Sequence, residues 1–370
     1  MSQFLSAIRA TLADRRLRTH VESRQVWHLA DALPDPEQFW GLDDLEGAFA
    51  RGGIPAGDVK LYLKNSGIDL ATVGVADGPG LRPLALRSLA RQGATIVANN
   101  LQRIFPALWD LACDAENWLD GPVSIGAIAS FGHSGLKLHY DPQDLIIVQL
   151  AGAKKWYFYG EALRDTAGRR EINDPPPETV PVTELTMRAG DVMYVPSGLR
   201  HRCEPQGMSL HIGIIVEHAS GRDFVAHIAK VARKDPLLNE PVQRFLGREA
   251  IARQAEAMKA RLLELVAASD PQQWLDSHAA SQAHVVDIEF VAPPPESPAA
   301  RASLAATRQP VLNREGKWRS GEVLLDPLPG IGAVFDALRA GDRSVGELRA
   351  EGLGDALDLL AEKGIVRIVP

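Results

Sequence analysis

Three side chains near the middle of the chain have the types and spacing of metal ligands. His139 and Asp141 are two residues apart, and in an extended strand residues i and i+2 project from the same face. His201, which follows the turn at Pro196-Ser197-Gly198, is the downstream residue that could complete the set. Two imidazoles and one carboxylate on one side of a metal leave coordination positions open, an arrangement that suits non-haem Fe(II). The pattern therefore predicts an iron site with room for oxygen and a co-substrate.

A lysine is expected to face the same interior as these ligands. Lys154 follows His139 after one turn and one apolar strand, so it can return to the inside of a barrel. A lysine in an apolar interior is unfavourable unless its charge is paired, so we expect an anionic ligand at its ammonium group. Lys155 should point outward, since successive side chains of a strand alternate between faces. In the alternative interpretation both lysines face solvent.

Short strand-like segments with Gly, Pro and Asp between them surround these residues from 121 to 217. The predicted strands are Val123–Ile128, Leu136–Asp141, Leu145–Leu150, Trp156–Tyr159, Val180–Leu185, Val192–Val195 and Leu210–Val216. Such spacing is typical of an antiparallel sandwich or barrel, and in a jelly roll segments about 60 residues apart can lie side by side. The polar, proline-rich segment Arg164–Pro177 is predicted to be a loop.

Other polar side chains of this region are expected to have ordinary structural roles. They are Asp144 in its turn, Asp191, and the residues near the mouth of the barrel, Ser124, Ser130 and His133. Gln149 is a polar residue in an apolar strand, and its partner cannot be named from the sequence.

The segments before the barrel predict an α+β lead-in without a phosphate-binding glycine loop. Its expected elements are an amphipathic surface helix with Phe4, Leu5, Ile8 and Leu12 on one face, a helix from Leu42 to about Arg51, strands Val59–Leu63 and Ala94–Ala98, and a helix Pro106–Trp118. The first twenty residues have neither a long apolar core nor a cleavage site, so we expect no signal peptide and no membrane anchor.

The segments after the barrel predict mainly helices. Residues 221 to 280 have helical spacing, and the segment from 288 to 310 is proline-rich and typical of a linker. Three short helices, Gly332–Leu338, Ser344–Ala350 and Gly354–Lys363, precede a strand at Gly364–Val369, and Ser344 is a candidate helix cap. This order resembles a winged-helix domain.

The charge and the cysteine content argue against some functions and favour others. The net charge of −7 argues against nucleic-acid binding by the whole chain. The C-terminal sixty residues are rich in acids and lack a basic recognition helix, so a protein-interaction role is favoured there. Two isolated cysteines, Cys113 and Cys203, form no disulfide framework and no zinc motif, so a cytoplasmic location is expected.

The motifs HYDPQDLIIVQLAGAKKW and GDVMYVPSGLRH resemble those of the JmjC-type cupins known as the cupin-4 or ribosomal oxygenase family. The resemblance covers most of the chain, although outside the two motifs it concerns layout alone. It implies an α+β fold whose core is a double-stranded β-helix, the jelly roll of the cupins. The implied divisions are a catalytic domain with its lead-in at 1–217, a helical dimerisation region at 218–287, and a linker with a winged-helix-like domain at 288–370.

The resemblance also implies an activity. Members of the family are Fe(II)- and 2-oxoglutarate-dependent protein hydroxylases that use O2, and their metal ligands correspond to His139, Asp141 and His201. Their basic residue for the far carboxylate of 2-oxoglutarate corresponds to Lys154. Ser209 and His211 share one face of the last barrel strand, where the family places polar residues that contact the co-substrate. The implied assembly is a homodimer that acts on a protein, such as a ribosomal protein, or on a peptide, without a membrane or direct nucleic-acid contact.

Three other functions remain open at this point. The first is a hydroxylase or demethylase of the same fold that acts on a peptide, an amino acid or another small substrate. The second is a non-catalytic binding protein that uses the cupin as a scaffold. The third is a Zn or Mn cupin that catalyses isomerisation, although such sites usually carry more histidines and would not need Lys154.

Overall fold

The computed structural model describes residues 3–73, 81–119, 121–132, 135–164, 182–281, 297–305, 310–312, 316–321, 323–339 and 341–369. The chain divides into two compact units, Met1–Glu217 and His218–Pro370. Within the described ranges no helix is long and apolar enough to cross a membrane.

The first unit contains six α-helices and nine strands in its described residues. The helices are α1 Gln3–Leu12, α2 Arg15–Ser23, α3 Pro36–Phe39, α4 Leu42–Ala50, α5 Pro83–Arg91 and α6 Pro106–Leu119. The strands are β1 Trp27–Leu29, β2 Val59–Leu63, β3 Ser66–Ile68, β4 Thr95–Ala98, β5 Val123–Ser130, β6 Asp144–Tyr159, β7 Thr183–Arg188, β8 Val192–Val195 and β9 Arg200–Val216.

All nine of these described strands belong to one antiparallel sheet, ordered β1-β8-β6-β9-β5-β4-β2-β3, with β7 beside β6. The long strands β6 and β9 pair along almost their whole length, from Asp144↔Val216 to Tyr159↔Arg200. The first half of β6 also pairs with β8, and its second half pairs with β7. The β6–β9 pair therefore joins the strands on either side of it into one sheet.

Strand β6 alternates between two apolar environments. Ile146 and Val148 pack into the core that contains the helical residues Phe4, Leu45 and Leu108. Leu145 and Ile147 pack instead into the barrel interior, a cluster completed by Trp156, Phe158, Met187, Met193, Val195, Leu199 and Cys203. Both faces of β6 are therefore buried, and this explains why its sequence is a continuous apolar run.

The sequence predicted two strands where the structure has one, because β6 bends without ending. The segments Leu145–Leu150 and Trp156–Tyr159 are one strand, interrupted only by register shifts at Gln149/Ala151 and Gly152/Lys154. Gly152 has φ +63°, and a Cβ there would lie 2.0 Å from the carbonyl oxygen of Met208. Only glycine therefore allows β6 to continue through this bend.

A second correction concerns the predicted strand Leu136–Asp141. The segment forms only an isolated antiparallel bridge, His139↔His201, with backbone hydrogen bonds of 3.0 and 2.8 Å. The ladder stops there because the turn at Ser197 and Gly198 replaces its next rung, and the Gly198 N–H donates to the Asp141 carbonyl at 2.7 Å.

Other predicted elements agree with the structure. The helix from Leu42 is α4, the strand Val192–Val195 is β8, and the first helix buries Phe4 and Ile8. The predicted strand Val180–Leu185 begins later, at Thr183, in the described residues. Of the predicted loop Arg164–Pro177, the residues from 165 lie outside the described ranges, as does His133.

The second unit begins with the helices α7 Gly221–Ala232, α8 Arg248–Ala267 and α9 Pro271–Ser281. Its remaining described elements are β10 Arg301–Leu304, β11 Val311–Leu312, β12 Trp318–Ser320, β13 Val323–Leu325, α10 Ile331–Arg339, β14 Arg343–Ser344, α11 Val345–Ala350, α12 Gly354–Glu362 and β15 Val366–Val369. Two three-stranded sheets, β14-β10-β15 and β11-β12-β13, lie in this described part. The last three helices match the predicted ones within two residues, and the hydroxyl of Ser344 caps α11 by accepting from the Glu347 N–H.

Candidate metal centre

The three predicted ligands meet where the isolated bridge joins His139 to His201 at the start of β9. The ligand atoms of His139, Asp141 and His201 all lie within 4.8 Å of one another. The carboxylate Oδ2 of Asp141 is 3.8 Å from His139 Nε2 and 3.6 Å from His201 Nε2. The isolated bridge places both histidines at one backbone level, with ring centroids 4.4 Å apart. A single metal ion could therefore contact all three side chains.

Both imidazoles are held in the tautomer that a metal needs. His139 Nδ1 lies 2.7 Å from the Lys137 carbonyl, and His201 Nδ1 lies 2.9 Å from the Leu199 carbonyl. A carbonyl oxygen can only accept, so each Nδ1 carries the proton and donates it. Each Nε2 is then left with a lone pair, and these are the atoms nearest to Asp141. A ligand histidine that donates its other N–H to an oxygen is the usual arrangement at protein metal sites.

The site is buried on one side and open on the other. The side chain of His201 is 3% exposed, whereas those of His139 and Asp141 are 15% and 30% exposed. Burial, followed by the neighbouring His139, lowers the pKa of His201 from its ordinary value. A neutral imidazole is the form that ligates a metal.

The loop that carries His201 is fixed by a buried carboxylate. Asp144 accepts a hydrogen bond from the Ser197 N–H at 2.7 Å and from the Tyr194 hydroxyl at 3.0 Å. Burial and this carboxylate raise the pKa of Tyr194. Arg24 donates to the Ser197 carbonyl at 2.7 Å from the other side. Asp144 therefore has the structural role expected from the sequence, although it holds the ligand loop as well as its own turn.

Asp191 also has the structural role expected of it. Its carboxylate accepts from the backbone N–H groups of Asp31 and Arg188, at 3.0 and 2.9 Å. It also lies 3.0 Å from His28 Nε2. These contacts tie the start of β8 to the neighbouring strand β1.

Lys154 is buried in the same interior as the metal ligands and is fully inaccessible to solvent. Its Nζ lies 3.2 Å from His211 Nδ1 and 3.4 Å from Ser130 Oγ, both neutral acceptors. Among the described residues no carboxylate forms an ion pair with it, and burial lowers its pKa. Lys155 points outward and pairs with Glu184 at 2.7 Å. The two lysines therefore lie where their alternation along β6 predicts.

Ser209 and His211 are both buried on β9, but they differ in their contacts. His211 touches Lys154, and burial, followed by the lysine charge, lowers the pKa of His211 well below its ordinary value. Ser209 Oγ instead accepts from Gln149 Nε2 at 2.9 Å, and the same Nε2 donates to the Ala151 carbonyl at 2.8 Å. These are partners of Gln149 that the sequence could not give. Only His211 of this pair lies in contact with the buried lysine.

The structure brings two further residues to this interior. Ser130, expected to be an ordinary strand residue, contacts Lys154 and also accepts from Thr95 Oγ1 at 3.1 Å. Ser130 lies near Lys154 because β5 pairs with β9, and a local sequence pattern does not predict this pairing. Trp156 lies on the same face of β6 as Lys154, and its ring centroid is 5.6 Å from that of His201. Period two counted from Lys154 could have identified it.

The chemistry of this interior fits a metal together with an anionic co-substrate. The two Nε2 atoms and one carboxylate offer a three-ligand set of the kind that non-haem iron prefers. A buried ammonium group without a buried carboxylate partner offers the counterion for an acid. His201 lies on β9 opposite Phe158 of β6, with His139 beside it across the isolated bridge, and Lys154 lies farther along β6, so one ligand could reach both features.

Comparisons with known proteins agree with this assignment. The family model described as "JmjC domain" matches residues 105–224. The segment similar to ribosomal oxygenase 2 of Bos taurus is 30% identical over 173 residues, which are 43% of this chain and 37% of the relative. A segment similar to the bifunctional lysine-specific demethylase and histidyl-hydroxylase NO66 of Drosophila mojavensis is 27% identical over 165 residues, 43% of this chain and 18% of the relative. The matches thus span well under half of these curated relatives.

Similarity to solved structures extends over nearly the whole chain. The structure of YcfD, a ribosomal oxygenase from Escherichia coli in complex with cobalt and 2-oxoglutarate, has a TM-score of 0.58 and 14% identity. The aligned region covers 95% of this chain and 98% of that one. At this identity the likeness concerns the fold, and it includes the large antiparallel sheet.

Proposed function

We propose that this chain, whose residues 105–224 match the JmjC domain family, is an Fe(II)- and 2-oxoglutarate-dependent oxygenase that hydroxylates a protein side chain. The observation that carries this proposal is the buried Lys154, whose ammonium group has no carboxylate partner among the described residues and faces the interior that contains His139, Asp141 and His201. A metal site alone would not require a buried cation, whereas a dicarboxylate bound between metal and lysine would use both.

Each part of the site has a defined task in this proposal. The two histidines and Asp141 would hold Fe(II) on one side, and with 2-oxoglutarate and O2 the metal supplies the oxidation of a C–H bond. Lys154 would bind the far carboxylate of the co-substrate. The apolar side chains Trp156 and Phe158 close the interior to water, which strengthens the attraction between lysine and carboxylate. The exposed edge of Asp141 leaves an approach for the substrate.

The site favours the oxygenase over two of the other functions left open by the sequence. A non-catalytic scaffold has no need of two tautomer-locked histidines beside a carboxylate. An isomerase with Zn or Mn has no need of Lys154. A demethylase would use the same metal and co-substrate, and a relative carries both activities in its name, so the product must distinguish the two.

The test is anaerobic addition of Fe(II) and 2-oxoglutarate to the purified protein. We expect a weak visible charge-transfer band that is absent in His139→Ala. With oxygen and the true substrate, succinate should form in step with product. If the wild-type protein gives neither the band nor succinate with any candidate substrate, the oxygenase proposal is wrong.

Ribosomal proteins are the substrate class that we propose, by analogy with the names of the similar proteins. Mass spectrometry of ribosomal proteins from cells that lack this protein should reveal a residue without its added oxygen atom. A lysine that instead carries additional methyl groups in these cells would identify a demethylase. Unchanged ribosomal proteins would direct the search to peptides and small molecules.

We further propose that the chain is a homodimer formed through its helical region at 218–287. Large apolar side chains of this region are exposed in the isolated chain, among them Phe245 at 84%, Val225 at 66% and Leu263 at 60%. Exposed side chains of this size are typical of surfaces that bind a partner. Sedimentation of wild type and of Phe245→Asp tests this, since only the wild type should sediment as a dimer.

The C-terminal part is proposed to be a winged-helix-like domain that binds protein rather than nucleic acid. Three short helices and two small sheets in its described residues support the first statement. Paired charges such as Arg349–Asp358 and Arg343–Glu351 leave little free basic surface for phosphates. Both cysteines are free and buried, which supports the proposed cytoplasmic location.

A further inference from the structure

An indole N–H without a partner lies inside the barrel. Trp156 is 3% exposed, and its buried Nε1 has no hydrogen-bond acceptor among the described residues. Most buried polar groups in folded proteins are hydrogen-bonded, and one that is not destabilises the protein by its full desolvation penalty. An orphaned donor of this kind therefore calls for an explanation, and a ligand that accepts the hydrogen bond is one.

The position of this indole is between the metal ligands and the buried lysine. Lys154, Trp156 and Phe158 alternate along β6 and so share its inner face. In the pairing with β9, Phe158 lies opposite His201 and Trp156 lies opposite Cys203. The Trp156 ring centroid is 5.6 Å from that of His201 and 5.7 Å from that of His211, which itself contacts Lys154. A ligand that extends from the metal to the lysine must therefore pass along the indole.

The neighbouring side chains offer further donors. His211 Nδ1 lies 3.2 Å from Lys154 Nζ, and an ammonium group can only donate, so Nδ1 accepts and the proton of the neutral imidazole lies on Nε2. The Trp156 N–H, the His211 Nε2–H and the ammonium group are thus three donors in one buried interior. Donors grouped without carboxylates fit an acid that brings several acceptor oxygens.

We propose that Trp156 is a further binding residue for the dicarboxylate co-substrate, to which its indole N–H donates a hydrogen bond. This inference rests on the proposed function and adds a recognition group to it. The role requires the nitrogen itself and not the bulk of the ring, because the ring alone would fill the same space. Replacement of Trp156 by phenylalanine therefore separates recognition from packing.

The chain offers a matched control for this substitution. Trp40 is 2% exposed, and its buried Nε1 likewise has no partner in the part of the chain that the structure describes. It packs edge-on against Phe105, at 5.3 Å between ring centroids, in the core that contains the helices and not in the barrel interior. Trp40→Phe removes the same chemical group at a site that the proposed ligand does not reach.

The experiment measures the affinity of the Mn(II)-loaded protein for 2-oxoglutarate by titration calorimetry, where no turnover occurs. Trp156→Phe should weaken binding about tenfold or more, the usual effect of losing one hydrogen bond to a charged group. Metal affinity should stay unchanged, and Trp40→Phe should bind 2-oxoglutarate as the wild type does. Equal affinity of Trp156→Phe and the wild type would overturn the inference while leaving the proposed function intact.

A second measurement does not depend on a variant that folds. In Zn(II)-loaded wild-type protein labelled with ¹⁵N, the indole N–H resonance of Trp156, assigned by triple-resonance methods, should move downfield on addition of 2-oxoglutarate. The resonance of Trp40 should not move. A stationary Trp156 resonance at saturating ligand overturns the inference, and a wild-type protein that binds no 2-oxoglutarate overturns both the inference and the proposed function.

Discussion

Replacement of Lys154 by methionine tests the site most directly, since it removes a buried charge and keeps most of the side-chain volume. We expect Lys154→Met to weaken 2-oxoglutarate binding strongly and to leave the ligand-free protein about as stable as the wild type. A structural lysine would behave in the opposite way, because its loss would lower stability first. The changes in 2-oxoglutarate affinity and in stability therefore distinguish a ligand-binding lysine from a structural one.

The magnitudes follow from the contacts of the ammonium group. Removal of one member of a buried, hydrogen-bonded charge pair costs about 2–5 kcal/mol, a loss of roughly 30-fold to several thousand-fold in affinity. In the ligand-free protein the same change relieves the desolvation of a charge that is fully buried. It also removes the contacts to His211 and Ser130, which are worth about 0.5–1.5 kcal/mol each. These opposing terms leave the free energy of unfolding within about 2 kcal/mol of the wild type.

Dependence on pH gives an independent check of the buried charge. Burial lowers the pKa of Lys154 below its ordinary value of 10.5, so the unfolded chain binds more protons between the folded-state pKa and 10.5. Stability of the ligand-free protein should therefore rise with pH through that window, relative to Lys154→Met. Urea denaturation of both proteins at a series of alkaline pH values measures this difference.

Lys155→Met is the control for both measurements. Lys155 carries the same charge one residue away, but its side chain is 35% exposed and pairs with Glu184 at the surface. Its substitution should leave 2-oxoglutarate affinity unchanged, and stability should fall by less than about 1 kcal/mol. The rise of stability with pH below 10.5 should persist in this variant, because the Glu184 carboxylate raises the pKa of Lys155 and the effect of Lys155 on the profile therefore lies above that value. Equal loss of affinity in the two variants, or loss of metal binding in Lys154→Met, would refute the role assigned to Lys154.

Three further predictions concern the elements that support the site and the second unit. Asp144→Ala should lower the free energy of unfolding by about 2–4 kcal/mol, because it leaves the Ser197 N–H and the Tyr194 hydroxyl unpaired. Tyr194→Phe should lower it less, and an equal loss for the two variants in urea denaturation would contradict this. Gly152→Ala should destabilise by more than about 2 kcal/mol, since φ is positive and its Cβ would overlap a facing carbonyl, and an unchanged thermal midpoint would contradict this. Ser344→Ala should destabilise the second unit by about 0.5–2 kcal/mol and Ser344→Gly by only a few tenths, as judged by circular dichroism on heating.

The sequence predicted which side chains lie together better than it predicted the strands. Residue type and a spacing of two sufficed for His139 and Asp141, and the alternation along β6 sufficed for Lys154 and Lys155, because these patterns depend on local geometry. The strand expected at Leu136–Asp141 is a single bridge, since its continuation was decided by a turn at Gly198, far along the chain. The continuity of β6 depended on a bend at Gly152, and a glycine between two apolar runs equally predicts a turn.

Contacts between side chains on different strands of the sheet could not be predicted from local sequence patterns. Ser130 reaches Lys154 only because β5 pairs with β9 and β9 pairs with β6, a relation among three separated segments. Gln149 finds its partner Ser209 in the same way. Polar residues in buried strands are thus the places where a sequence shows that a partner is needed without showing which residue it is.

The hydrogen bonds of the two ligand histidines have a consequence for protein engineering. Each Nδ1 pairs with the main-chain carbonyl two positions before it, at Lys137 and at Leu199. Main-chain carbonyls survive every substitution, so the choice of tautomer cannot be lost through mutation of neighbouring side chains. Residues 137–141 and 199–201 are joined by their backbone bridge. Together they form a metal-binding unit whose histidine tautomers do not depend on other side chains. Two adjacent antiparallel segments of another barrel could accept it together with the correct protonation of both imidazoles.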